Sequence, residues 1–357
     1  MREYFSGSQG EDYKPQDYGF FGPESVTWKV WSYPSSLTIG FQRAVVIEEL
    51  DPFLVAPVDT TGKIFDKPRL RYDNTLRYFA IAAFADSKTA TAASAVLMRI
   101  HSNIVGLEPV SGRPYDANSP AQQLWIHLTA WHSILYAYEI YGPGPLTKEE
   151  EGKYWEECAL AAQLQTCDPT DVPRTRDGVR QYFEAMRPRL AASEVAQDAM
   201  NQLLDASVMF PSLPWPLRPG GRIVSEVLRA ATIATMPVWQ RELAALRQPA
   251  WIGRAIRPLL KTAFALVARS PRLEVALIKW ISPATYPIVR PVLLSVVPAT
   301  PRTTTPAAAF KENGTDTPNE ILAGLPAKRA GTPTLDLGPS EPMSRPALSY
   351  RRRTVPT

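Results

Sequence analysis

From Ala117 to Tyr138 the chain carries no Asp, Glu, Lys or Arg. A run of that length is close to the roughly 20 apolar residues with which a helix crosses a bilayer. Gln122, Gln123, His127, Thr129, His132 and Ser133 interrupt it, and in hydrocarbon each of those polar groups would need a partner. The mixture fits a helix buried at the centre of a globular protein, its polar groups bonded to neighbours. A buried central helix must be covered on all sides, so the pattern of the remaining chain decides the fold class.

That pattern is helical. Apolar residues return every three or four positions from Arg69 to Phe84 and from Ser87 to Val105, the period of helices with one covered face. Pro23 opens a short helix carrying Val26, Trp28, Val30 and Trp31, and a second runs from about Ser35 to Leu50, where Asp51-Pro52 stops it. Gly106 is expected to cap the helix ending near Val105, and Gly112-Arg113-Pro114 to form a loop. Ser119 should start the uncharged helix and Gly142-Pro143-Gly144-Pro145 end it, while Thr147 and Glu150 form a capping box for the next. Further helical segments are expected near 176–190, 194–208, 221–234, 237–247 and 250–269. No alternating β-branched run is long enough for a sheet, and no fixed-period repeat is visible. The expected architecture is all-α, with a flexible lead-in over 1–17, one large multi-helix domain over 18–298, and a disordered, Pro-rich basic tail over 299–357 that ends in Arg351-Arg352-Arg353.

A hydrophobic content of 45% in 357 residues suffices for a real core. The net charge of +4 falls well short of the dense basic faces of nucleic-acid binders, so no nucleic-acid role is assigned. Cys158 and Cys167 are too few for a disulfide framework and lack zinc-site spacing, which suits buried thiols in a reducing compartment. Acidic residues replace the apolar stretch of a signal peptide near the N-terminus, making a cytoplasmic location the expectation. Between Trp251 and Val297, cations such as Arg254, Lys261 and Arg272 alternate with apolar blocks. Peripheral membrane contact follows from that pattern, the plainer reading being helices packed on the domain with their cations in solvent. Nothing points to a protein partner.

The signatures of serine hydrolases, P-loop enzymes, zinc proteases and Rossmann nicotinamide enzymes are all missing. Only three histidines occur. His101 has Leu97, Met98, Ile104 and Val105 three and four positions away, an apolar face suited to an axial haem ligand and equally to a core histidine bonded to a carbonyl. His127 and His132, five residues apart, point roughly 140° from each other around a helix and cannot share a metal. They are expected to hydrogen-bond within the core. Arg71 sits one turn before Thr75, and Tyr78 and Phe79 one turn after, so a guanidinium, a hydroxyl and two rings share a face. The plainer reading pairs Arg71 with an acid and bonds Thr75 back to its own helix.

These segments resemble a known family, the MpaB/rubber-oxygenase (latex-clearing protein) catalytic domain. The resemblance runs from Gly19-Phe20-Phe21-Gly22-Pro23-Glu24-Ser25-Val26-Thr27-Trp28 through Arg71-x-x-x-Thr75-x-x-Tyr78 and the Ile100-His101 to Val105-Gly106 segment. It continues through Gly112-Arg113-Pro114-Tyr115-Asp116-Ala117, Leu124-Trp125-Ile126-His127, Ala137-Tyr138, Tyr141-Gly142 and Asp171-Val172-Pro173-Arg174-Thr175, covering roughly residues 18 to 250. It implies a globin-like helical core, haem b, dioxygen as co-substrate, and oxidation of an unsaturated lipid or isoprenoid, a hydrophobic small molecule. Carried over by position, His101 is the proximal iron ligand, Arg71 and Thr75 lie on the distal side, and Tyr78 and Phe79 line the cofactor pocket. For a catalytic glutamate of the rubber enzymes Glu48 and Glu49 are the nearby candidates, but the resemblance does not align either securely and neither is assigned a site role. Two positions depart: Asn74 replaces the distal lysine of rubber oxygenase, so a bis-ligated resting state is not expected, and Asp51-Pro52 replaces a His-Pro pair. Those departures favour the alternative, a non-catalytic lipid- or isoprenoid-binding protein that keeps the fold without haem.

Overall fold

The computed structural model describes residues 13–325 apart from 62–67, 110 and 212. Its axis is α6 (Pro120–Tyr141), which takes in the uncharged run up to Tyr138 and in which Trp125, Leu128 and Ile134 are fully buried. Of the polar residues that argued against a membrane span, Gln123 Nε2 donates to the Ala117 carbonyl at 2.6 Å and Ser133 Oγ accepts from Arg43 at 2.6 Å, whereas the buried Thr129 hydroxyl has no hydrogen-bond partner. Among the described residues, no helix is long and apolar enough to cross a membrane.

Around α6 pack α1 (Val26–Trp31), a π-helical turn (Ser36–Gly40) and α2 (Phe41–Glu48). Gly40 permits the close approach of this corner, because a Cβ there would lie 2.9 Å from the Cα of Ile134. Next come α3 (Pro52–Thr61), α4 (Pro68–Phe84), whose buried Phe79 and Phe84 face Trp31 and Trp28 of α1, and α5 (Ser87–His101). Trp28–Phe84, Trp31–Trp131 and Phe41–Phe79 pack edge-to-face at this junction, the geometry that ring quadrupoles favour, and Trp31 meets Phe79 at a tilt. Then α7 (Lys148–Ala161), opened by the expected Thr147–Glu150 capping box, packs on α1, and after α8 (Arg176–Met186) both α9 (Glu194–Leu203) and α10 (Arg218–Thr235) pack on α2. They are followed by α11 (Val238–Leu243), α12 (Ala250–Ala268), α13 (Pro271–Ile281) and α14 (Tyr286–Leu293). The fold is all-α.

Four expectations need correction. Gly106 does not cap a helix: α5 ends at His101 with Ser102 as its C-cap, and Val105–Leu107 pairs antiparallel with Pro114–Asp116 in a short hairpin. Gly106 faces Tyr115 across that pair, and a Cβ there would come within 2.7 Å of the Tyr115 hydroxyl. At the start of α6, Ser119 makes no side-chain cap, and Pro120 occupies the first turn, where its missing N–H costs nothing. Residues 13–17 are not a loose lead-in: Tyr13 donates to Asp86 at 3.1 Å, and buried Asp17 accepts from the Ser87 amide at 2.8 Å.

Nor does the domain stop at Pro298. Residues 299–304 run beside 15–19, with Thr300 N–H donating to Gln16 at 2.7 Å and Tyr18 N–H to Arg302 at 2.9 Å. Then α15 (Pro306–Glu312) and α16 (Pro318–Ala323) pack on α5 and bury Ala309, Phe310 and Ile321. The composition of the segment suggested too little apolar area to fold, but these few side chains have a ready-made surface to cover. The remainder of the expected tail, 326–357, and residues 1–12 lie outside the described residues.

Candidate active site

The helix period brings two rows of side chains to one cleft. Phe41, Val45 and Glu48 recur at four- and three-residue steps on α2, and Pro68, Arg71, Tyr72 and Thr75 do so on α4. Glu49 joins them from the end of α2, and Gln202, Leu203 and Val208 close the far wall. The enclosed space is about 70 Å³, room for a few waters at roughly 10–15 Å³ each.

Two carboxyls dominate its chemistry. Glu48 Oε1 and Glu49 Oε2 are buried without a hydrogen-bond partner. Burial pushes Glu48 up to about 8, the neighbouring Glu49 adding to the rise and Arg71 opposing it. Burial likewise pushes Glu49 up to about 7 against the pull of Arg71, whose Nη2 lies 3.8 Å from Glu49 Oε1. Burial thus raises both carboxyls, and the pair together holds a proton near neutrality. Arg71 is half-exposed at the mouth, and the Thr75 hydroxyl donates to the Arg71 carbonyl at 2.9 Å. The plainer sequence readings of Arg71 and Thr75 thus describe their present contacts, yet both residues also line the cleft.

The other sequence-selected residues lie elsewhere. Phe79 stands behind Phe41, ring centroids 5.1 Å apart, and backs the cleft wall without lining it. The Tyr78 hydroxyl is buried without a hydrogen-bond partner, and burial raises its pKa, with Cys167 adding to the effect. His101, at the end of α5, is partly buried outside the cleft lining, its Nδ1 3.5 Å from Gln123 Nε2. Burial pushes its pKa down to about 4, with the Asn118 side chain acting the other way. His127 is a core histidine as expected, its Nε2 donating to the Cys158 carbonyl at 2.7 Å. His132 lies against buried Arg43 and Phe183, which keeps it neutral through burial first and the guanidinium second. Asp51, at the departure from His-Pro, accepts from the Phe53 amide at 3.0 Å at the head of α3.

Glu48 and Glu49 left a signal in the sequence. Two acids closing an apolar helix sit at the end whose exposed carbonyls repel negative charge, a placement that needs a reason. Tyr72, Gln202, Leu203 and Val208 gave none, since only the tertiary fold brings α9 and the turn after it against α4.

The catalytic domain described as ER-bound oxygenase mpaB/B'/Rubber oxygenase matches residues 28–269. The chain belongs to this family. The matched span contains the cleft, His101 and both departures. No curated protein and no solved structure matches.

Haem is the cofactor that the resemblance implies, and the donors here can be tested against it. A haem asks the protein for one axial nitrogen with its lone pair available. His101 meets that requirement, being neutral over the physiological range, and the buried, unpartnered Oδ1 of Asn118 is a group that can orient the ring. Among the described residues, no group of three or more His, Cys, Asp or Glu forms a cage for a bare metal ion. An imidazole suited to an axial position is thus present, but His101 is not among the residues that line the cleft with Arg71 and Thr75.

Proposed function

We propose that the chain is a haem b oxygenase that uses dioxygen on an unsaturated lipid or isoprenoid. The observation that carries the reading is the cleft, where two raised carboxyls, a guanidinium and a hydroxyl meet among apolar walls. Bound haem would supply activation of dioxygen, and His101 would hold it. Phe41, Val45, Leu203 and Val208 give an unsaturated hydrocarbon a dry surface that adds no competing hydrogen bond. Glu48 and Glu49, both raised by burial, hold a proton between them near neutrality, so the pair can move a proton to or from a substrate carbon or oxygen. Arg71 and Thr75 can turn donors toward an oxygen that gains negative charge.

A second reading, a lipid- or isoprenoid-binding protein without haem, is favoured by Asn74 and Asp51, which stand where the rubber enzymes carry a distal lysine and a His-Pro pair. Pyridine-haemochrome assay of protein expressed with added haem separates the two. Haem in the wild type and in His127→Ala, with loss in His101→Ala, is the expected result. No haem in the wild type would leave the binding-protein reading, and equal haem in His101→Ala would remove the ligand assignment.

A further inference from the structure

We propose that the face built by residues 213–224, α12 and α13 docks on anionic lipid membranes. The inner side of α12 is settled: Ile256, Leu260 and Phe264 pack on α6 and α10. The other side is not covered. Trp251 is 62% exposed and Trp215 79%, and Ile223, Leu259, Leu266 and Trp280 are exposed with them. Scattered surface leucines need no explanation, but several large apolar side chains on adjoining helices mark an interaction surface.

Charge selects the occupant. Residues 243–311 contain ten Lys and Arg and a single acid, Glu274, which is buried. The whole chain carries only +4, so the rest of it is net acidic and the cations are concentrated on this part. A second copy docking through the same patch would bring this cationic face against itself, with no exposed acid in 243–311 to relieve the repulsion. A bilayer with anionic headgroups meets both demands: phosphates and carboxylates for Arg254, Lys261 and Arg272, and the acyl boundary for the tryptophans and leucines.

Position gives the face a purpose. Val208 lines the cleft, and two residues on, Phe210 stacks on Trp280 with centroids 5.7 Å apart. The chain then runs into the exposed Trp215–Leu217 turn. Docking would set the cleft mouth beside the lipid phase; this last step, unlike the docking itself, rests on the oxygenase reading, because it makes the membrane the source of substrate.

The test is cosedimentation of the full chain with phosphatidylcholine vesicles, with and without phosphatidylserine. Binding is expected only with phosphatidylserine and should weaken with added salt. Arg254→Gln/Lys261→Gln should lower the vesicle partition by about 25-fold, at about fivefold for each basic group, and Trp215→Ser/Trp251→Ser should abolish it, each variant keeping the wild-type circular dichroism. His101→Ala should bind as the wild type does, so a failure of the haem reading leaves this result intact. No binding to either vesicle, or equal binding to both, would overturn the proposal. So would a lipid-free dimer in sedimentation velocity that Trp251→Ser dissolves, since a second copy would then cover the face.

Discussion

His101 and His127 sit on successive long helices, both buried enough for their pKa values to fall to about 4, yet their rings meet different groups. His127 is committed, with Nε2 on the Cys158 carbonyl and the ring against Trp131. His127→Ala should remove about 2–4 kcal/mol of stability through the cavity and the lost bond, measured by urea unfolding, and leave haem content unchanged. A smaller loss would mean that the core refills the space. The apolar neighbours of His101 were legible as a spacing, and those of His127 equally so; what separated the two residues was the partner across the packing, which no spacing encodes. Glu48 carries a second prediction at this scale. Its folded pKa is raised, so the folded state holds a proton that the unfolded state gives up near 4.5. That proton stabilises the fold below the unfolded value, and the contribution disappears as pH climbs through about 8. Glu48→Gln should therefore gain stability relative to the wild type at pH 8 and little or none at pH 5; a constant difference at both would show a carboxyl that does not titrate between them.

At the scale of elements, the helices were readable because they announce themselves locally. Thr147 with Glu150, Gly142 after Tyr141, and the three-and-four spacing in α4 and α5 are each decided within a few residues. The elements that escaped depend on distant chain. The hairpin at 105–107 and 114–116 has three residues a side and is held against α3, and α15 is a helix of only seven residues, three of them alanine. Neither would form alone, since short helices and isolated hairpins are marginal in water. Phe310 is the anchor that ties α15 to the body, 2% exposed in the main core. Phe310→Ala should cost about 3–5 kcal/mol, and truncation after Pro298 should lower the unfolding midpoint still further, because it also uncovers α5 and removes the strand-like contacts with residues 15–19. Unfolding of the variant and the truncation by urea, followed by circular dichroism, measures both; a truncated chain as stable as the full one would mean that α15 and α16 rest on the surface without contributing.

For the whole molecule, buried titratable groups set how stability varies with pH, and they act in two windows. His101 and His127 take up protons less readily folded than unfolded, so they cost stability as pH falls from 6.5 toward 4. The carboxyls act in the opposite sense. Burial pushes Glu48 and Glu274 up to about 8 and Glu49 to about 7, from an ordinary value of 4.5. Each stabilises the fold fully below 4.5 and loses that contribution as pH rises through its folded value. Between 4.5 and 6.5 the two sets oppose each other. Above 6.5 the histidines are neutral in both states, the unfolded carboxyls are already ionised, and only the buried carboxyls still respond. The thermal midpoint should therefore fall between pH 6.5 and pH 8.5, by several degrees if the three carboxyls act together, and the Glu48→Gln/Glu49→Gln/Glu274→Gln variant should show a flatter profile over the same range. Differential scanning calorimetry at the two pH values decides it. A midpoint that stays level or rises would mean that these carboxyls are ionised in the folded protein, with Arg71 compensating the charge of the Glu48–Glu49 pair, and the proton that the cleft is argued to hold near neutrality would not be there.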